Sequence, residues 1–445
     1  MTTRTVGALL TAFALVVPLT IRADQDDRDC RDRDHFEHNL KTPLALAGVI
    51  PVPGKPITSA DIAWVDPATE RYYFSDRSNA GVDIIDAENH MWVGRVAGMA
   101  GALTSGGGTA TTNGPGPNGV LVTPNRHLWA GDGNSSAEVA DVDPDSPTYL
   151  TILKTVSTAI AACDTATPPG TGATGHWCGR ADELGYDPKD HVILIANNAP
   201  LSPTKLCPTA TNPAAHCAID PYATFIAATP PYAVLGTITF VGAGGLEQPA
   251  WDPALGKFWV SVPGPTGGNP EIVRVDPLTM KADKTYVLNC LSLTGAASAS
   301  ITGVALAPFQ HLLVSACGFP ITLNALTGKV YQVIGGVGGG DEVWFNPGDD
   351  RFYVTGPLGG VTGNVQQLGV IDAEHNSLLQ TIPDVRGKNP AAFPELNQVF
   401  TIVQVTAGIA AGTAADDSVC ATVFGFKGTG CIAVFAHPES GEDDR

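Results

Sequence analysis

The feature that most constrains this chain is an internal repeat: a short apolar run, a turn built on proline, then an alternating aromatic strand. The first copy reads Asp61-Ile-Ala-Trp-Val-Asp-Pro followed by Arg71-Tyr-Tyr-Phe. Near-identical grammar returns at Glu247-Gln-Pro-Ala-Trp-Asp-Pro with Lys257-Phe-Trp-Val, and at Asp341-Glu-Val-Trp-Phe-Asn-Pro with Arg351-Phe-Tyr-Val. Weaker copies start at Asn118, Asp182, Thr302 and Lys388, giving seven in all. Several copies continue into a second hairpin, as in Val82-Asp-Ile-Ile-Asp-Ala-Glu-Asn, so each unit is four antiparallel strands. Four-stranded units repeated radially specify an all-β fold, a seven-bladed β-propeller. The seventh unit offers strands near Ala391, Val399 and Ile432 but no fourth, while residues 44–52 form an orphan strand before the first unit. The expectation is that this N-terminal strand completes the last blade and removes its open edge.

Outside residues 41–437, assigned to the propeller, the sequence separates into three short segments. Residues 1–23 have the layout of a secretory signal peptide: Arg4, an apolar run from Val6 to Ile21, and a small residue, Ala23, at the expected cleavage point. Residues 24–40 read as a charged tail and 438–445 as an acidic one. No second apolar run is long enough to span a bilayer, so the mature chain is expected in the periplasm or outside the cell. Nine cysteines fit an oxidising compartment. Eight fall into sequence-near pairs, Cys163 with Cys178, Cys207 with Cys217, Cys290 with Cys317 and Cys420 with Cys431, and Cys30 is left over. A formal net charge of -19 argues against nucleic acid or an anionic lipid surface as partner.

The hairpin style, an Ile-Asp-Ala turn after a Tyr/Phe-Val strand, resembles the YncE or YVTN-type seven-bladed propellers over most of residues 44–437. Two local motifs, Pro117-Asn118-Gly119 and Glu247-Gln-Pro-Ala-Trp-Asp-Pro, resemble blade starts of regucalcin/gluconolactonase-like propellers, which usually have six blades. That second resemblance implies that Asn118 and Glu247 help hold a divalent metal in the central funnel, and that lactone hydrolysis is an activity of relatives.

The residues themselves lead to a similar expectation. The position that opens each repeat reads, in ring order, Asp61, Asn118, Asp182, Glu247, Thr302, Asp341, Lys388, and equivalent starts of innermost strands lie at one height near the channel mouth. Asp61, Asn118, Asp182, Glu247 and Asp341 therefore form a candidate oxygen-only site for Ca²⁺, or for Mg²⁺ or Mn²⁺ in a tighter geometry. The alternative is a solvated polar channel that binds nothing specific, with Lys388 balancing one acid. Insertions at 99–115, 158–180, 199–219 and 404–430 fall in the connections beside this ring, as do the eight pairable cysteines, so that face is expected to take a small-molecule or protein ligand. His176, beside Trp177, is the candidate general base, although a loop histidine next to a cysteine is also ordinary. Trp64, Trp251 and Trp344 recur at blade starts and read as core between blades. Two functions follow: an exported binding propeller with a cation in its acidic funnel, or a metal-dependent hydrolase of lactone- or ester-like molecules.

Overall fold

The computed structural model describes residues 43–438 apart from 103–115, 134, 161–179, 199–200, 207–215, 219, 266, 296, 358–365, 384 and 386, with backbone alone at 201–206, 216–218 and 407. Each repeat begins with an innermost strand, and these are Ala63–Asp66, Val120–Val122, Arg180–Asp187, Pro249–Asp252, Ile301–Ala307, Val343–Asn346 and Gly387–Phe393. Each heads an antiparallel sheet of four strands, and the innermost strands touch their neighbours in order, the seventh touching the first. The protein is a seven-bladed β-propeller.

In blades 1, 3, 4 and 6 an Asp/Asn-Pro step explains the turn that follows the innermost strand. Proline presets one backbone angle while the preceding side chain accepts from the backbone two and three residues on. Asp252 accepts from Ala254 N and Leu255 N, both at 3.1 Å, and Asp187 from Lys189 N at 2.9 Å and Asp190 N at 3.2 Å. The aromatic strand then supplies the core, as in Arg71–Asp76, where every residue after Arg71 is buried. Seven apolar clusters result, one in each gap between adjacent blades. Trp64, Trp251 and Trp344 pack against these clusters, but they are only partly buried. The rings of Trp64 and Trp344, from blades 1 and 6, meet edge to face with centroids 5.4 Å apart. These two therefore reach toward the axis, which a reading as simple inter-blade core did not anticipate.

Ring closure is as expected. Ala45–Ile50 runs antiparallel to Cys431–Ala436, from Ala45 opposite Ala436 to Ile50 opposite Ile432, and so is the outermost strand of blade 7. Leu44 is tied to blade 6 as well: its N–H donates to Gln380 Oε1 at 2.9 Å and its carbonyl accepts from Gln380 Nε2 at 2.8 Å. Beyond the strand, Ile57 is fully buried and exchanges backbone hydrogen bonds with Thr429 and Val405, both 2.8 Å, anchoring the 404–430 insertion.

Two of the four expected disulfides lie within the described residues and both form. Cys290 follows the outer strand of blade 4 and joins Cys317 in the connection between the second and third strands of blade 5; Cys420 joins Cys431 in blade 7. Cys30, Cys163, Cys178 and Cys207 lie outside the described residues, and the side chain of Cys217 does too. No helix among the described residues is long and apolar enough to cross a membrane.

Extending an N-terminal deletion from residue 40 to residue 52 removes the closing strand and the buried Leu44 and Ile50. At ~1.5–3 kcal/mol per buried aliphatic side chain, the longer deletion should cost roughly 3–6 kcal/mol and expose the edge of Cys431–Ala436 to self-association. Thermal melts and gel filtration of the two truncations check this; equal melting temperatures would contradict it.

Candidate functional site

Where the innermost strand starts in blades 1, 2, 3, 4, 5 and 7, the pairing with the second strand contains an extra residue. In blade 1 the Asp61 N–H donates to Ser75 O at 2.9 Å, while Ser75 N–H donates to Ile62 O, not Asp61 O, at 3.0 Å. The same pattern sets Asn118 and Gly119 against Gly131, and Glu247 and Gln248 against Ser261. In blades 3, 5 and 7 the register slips across Asp182–Glu183, Thr302–Gly303 and Lys388–Asn389. A bulge sets two residues against one and breaks strict alternation, re-aiming side chains. The ring position is thereby doubled in those blades, and Glu183 and Gln248 join it; Glu342 of blade 6 joins through its own contact with blade 1. Where the second residue is Gly119, a Cβ would sit 2.4 Å from both Asp182 O and Leu184 Cδ1, so the close approach of blade 3 requires glycine.

The polar groups at these positions form a closed belt through all seven blades. Arg77, in the connection between the second and third strands of blade 1, pairs with Asp61 and donates from Nε to Asn118 Oδ1 of blade 2 at 3.1 Å. Asn118 Nδ2 donates to Ala181 O of blade 3 at 2.8 Å. Arg180 pairs with Asp182 through Nε and Nη2, both at 2.7 Å. Asn198 Nδ2 bridges Asp182 Oδ2 at 3.2 Å and Glu247 Oε1 of blade 4 at 3.0 Å. Gln248 Oε1 accepts from Val304 N of blade 5 at 2.8 Å and from Val343 N of blade 6 at 3.2 Å. Thr302 Oγ1 donates to Gly340 O, entering blade 6, at 2.5 Å. Lys388 of blade 7 closes the circuit, with Nζ 2.9 Å from Asp341 Oδ2 and 2.8 Å from Asp61 Oδ1. Glu342 reaches across the ring, its Oε2 accepting from Ala63 N of blade 1 at 3.1 Å.

The seven ring positions thus converge, but they do not act alike. Asp61, Asn118 and Asp182 are engaged by Arg77 and Arg180. Glu247 and Asp341 instead meet Glu183, and one carboxylate oxygen of each lies within 4.8 Å of the others. Glu183 is buried, and its Oε2 has no hydrogen-bond partner. Arg77, Arg180, Glu183, Glu342, Asn198 and Gln248 were all missed by reading one residue per repeat. The adjacent acids at 182–183 and 341–342 were the available signal, and at 182–183 a bulge brings both members to the mouth. His176, the candidate base, lies outside the described residues.

Six carboxyl groups, Asp61, Asp182, Glu183, Glu247, Asp341 and Glu342, face three cations. Burial pushes Glu183 well above the ordinary glutamate range, and the charges of Glu247, Asp341 and Asp182 push it further. Glu247 is raised likewise by burial and by Asp182 and Asp341, against the pull of Arg180. Burial also raises Glu342, with Asp341 and Asp61 adding to it. Asp61 goes the other way: burial works to raise it, but Arg77, Lys388 and Arg180 together hold it well below the usual carboxylate range. The half of the belt bearing Arg77 and Lys388 is charge-balanced, whereas Glu183 and Glu247 retain protons or require another cation.

No family model and no curated protein matches this sequence. Among solved structures, the β-propeller domain of Myceliophteria thermophila Cps50 (Swd1) is similar over 88% of this chain and 99% of that one, at 10% identity and a TM-score of 0.52. Kuenenia stuttgartiensis hydrazine synthase is similar over 79% of this chain and 94% of that one, at 11% identity and a TM-score of 0.54. At such identities the likeness is one of fold.

Two outcomes follow from the belt. Lys388 is about a third exposed and Asp61 keeps Arg77 when it is removed, so Lys388→Met should cost roughly 1 kcal/mol, read as a lower melting temperature at neutral pH. Acids with raised pKa bind more protons in the folded than in the unfolded state, so their stabilisation is complete below the unfolded value and is lost as pH rises through the folded one. In chelator-treated protein the melting temperature should fall as pH rises above about 5, and Glu183→Gln should flatten that slope. A slope that is unchanged in Glu183→Gln would remove Glu183 from this account.

Proposed function

We propose that this chain is an exported binding propeller of the YncE kind that holds a divalent cation, Ca²⁺ first, at the mouth of its channel and receives its ligand on that face. One observation carries the reading: three carboxylates from blades 3, 4 and 6 converge, and the buried Glu183 oxygen among them has no partner. An oxygen-only set suits a hard cation, and a bound Ca²⁺ would satisfy that oxygen and offset the repulsion that raises Glu183 and Glu247. The ligand set is therefore Glu183, Glu247 and Asp341, while Asp61, Asn118 and Asp182 support it through Arg77 and Arg180. Export is favoured by the two disulfides, which persist in oxidising compartments. Both disulfides lie in connections on the belt side of the blades, where a rigid scaffold carries its binding loops.

A ligand that binds only the folded state stabilises it by mass action. Millimolar Ca²⁺ should raise the melting temperature of chelator-treated protein by several degrees at pH 7, less at pH 5 where the carboxyls hold protons, and not at all in Glu183→Gln. If Ca²⁺, Mg²⁺ and Mn²⁺ all leave the melting temperature unchanged, the belt is a structural fastening only. Turnover of lactones or aryl esters by the metal-loaded protein, lost in Glu247→Gln, would move the assignment to a metal-dependent hydrolase.

A further inference from the structure

Beside the belt, between blades 6 and 7, a cleft of about 380 Å³ opens on the same face. Its walls carry Thr355 and Gln366 from blade 6 and Asn389 and Gln404 from blade 7, over a floor that includes Gly340 and Gly387. The glycines are sterically required, since a Cβ on Gly340 would lie 2.1 Å from Thr355 O and one on Gly387 would lie 2.7 Å from Thr401 Oγ1. Asp341 and Lys388 form the side toward the channel. Lys388 Nζ already has three acceptors, Asp341, Asp61 and the Ala60 carbonyl, so it offers no free charge to the cleft.

Asn389 is the anomaly here. Its side chain is fully buried, yet neither Oδ1 nor Nδ2 has a hydrogen-bond partner, and its backbone sits at φ 47° in the left-handed region. Both features carry a free-energy cost, and together they mark a position held for something other than packing. The Gln366 side chain likewise makes no hydrogen bond among the described residues, and that of Gln404 makes one long contact, 3.5 Å to Ala60 O. The amides of Gln366 and Gln404 thus border one small space with their capacity largely unused, and the unpartnered amide of Asn389 is buried in its wall.

We infer that this cleft binds an uncharged, hydroxyl-rich small molecule the size of a single sugar ring. Each amide offers a donor and an acceptor side by side, and a sugar hydroxyl is itself both donor and acceptor. The charges that line the cleft are paired with each other or with the belt, which disfavours an ionic ligand. Among its described lining residues there is no aromatic ring, which disfavours an aryl or nucleobase ligand. The volume is at the low end for small-molecule sites, which suits one ring and not an extended chain.

The test is saturation-transfer NMR on chelator-treated, full-length protein with glucose, galactose, mannose and N-acetylglucosamine at millimolar concentration. At least one sugar should bind, and Gln366→Ala and Gln404→Ala should each weaken it about fivefold or more at unchanged melting temperature. Asn389→Asp, which places a charge in a neutral wall, should abolish it. Absence of transfer from every sugar, or undiminished binding in a Gln366→Ala/Gln404→Ala double variant that melts like the parent, overturns the proposal. So does a preference for acetate or acetamide over all four sugars. Because metal is absent throughout, a negative result leaves the cation reading untouched, and a failed calcium experiment leaves this one standing.

Discussion

The pairing of Ala45–Ile50 with Cys431–Ala436 joins residues from opposite ends of the chain, and the arrangement at the channel mouth depends on it. A propeller blade buries its faces only if both neighbours are present, so an incomplete seventh blade would loosen two apolar clusters at once, one shared with blade 6 and one with blade 1. Those blades also hold Asp341 and Asp61, the two carboxylates that Lys388 bridges. Backbone pairing at the rim of the disk and an ammonium near its axis therefore serve one closure. The rim fixes the spacing that lets a single ammonium reach both acids.

Around the belt, charge is distributed unevenly, and this gives the mouth its chemistry. Arginine and lysine sit beside Asp61, whose carboxyl stays ionised to low pH, while on the far side Arg180 opposes the rise of Glu247 and Glu183 faces the charges of Glu247, Asp341 and Asp182. The structural and the candidate binding functions are thus divided between residues that occupy equivalent places in the repeat. Identical topology supplies the positions, and the placement of three basic side chains decides which acids remain available.

Much of the architecture was legible because it rests on local chemistry. The Asp-Pro and Asn-Pro steps mark turns through side-chain hydrogen bonds that any such sequence would make, and the aromatic strand after each turn reports burial. The missing fourth strand of the last repeat pointed directly to residues 44–52. Cys290 with Cys317 and Cys420 with Cys431 were found by proximity because each pair spans loops on one side of adjacent or identical blades. The site was half legible. One ring residue per repeat was found, but Glu183 sits where a period of two sends a side chain to the other face, and only the bulge brings it round. Arg77 is in a different connection from the ring residues, and nothing in its neighbours Asp76 and Ser78 signals a partner 41 residues away at Asn118.

Gln248 and Glu342 have a consequence for what the axis of the disk is. Each crosses beyond its own neighbours, Gln248 from blade 4 to the backbone of blade 6 and Glu342 from blade 6 to the backbone of blade 1, with Trp64 against Trp344 behind them. These side chains therefore occupy axial space and tie together blades that are not neighbours in the ring. A shift of blade 6 against blade 1 or blade 4 would have to break these contacts, so they brace the ring from within as the closing strand does from its rim.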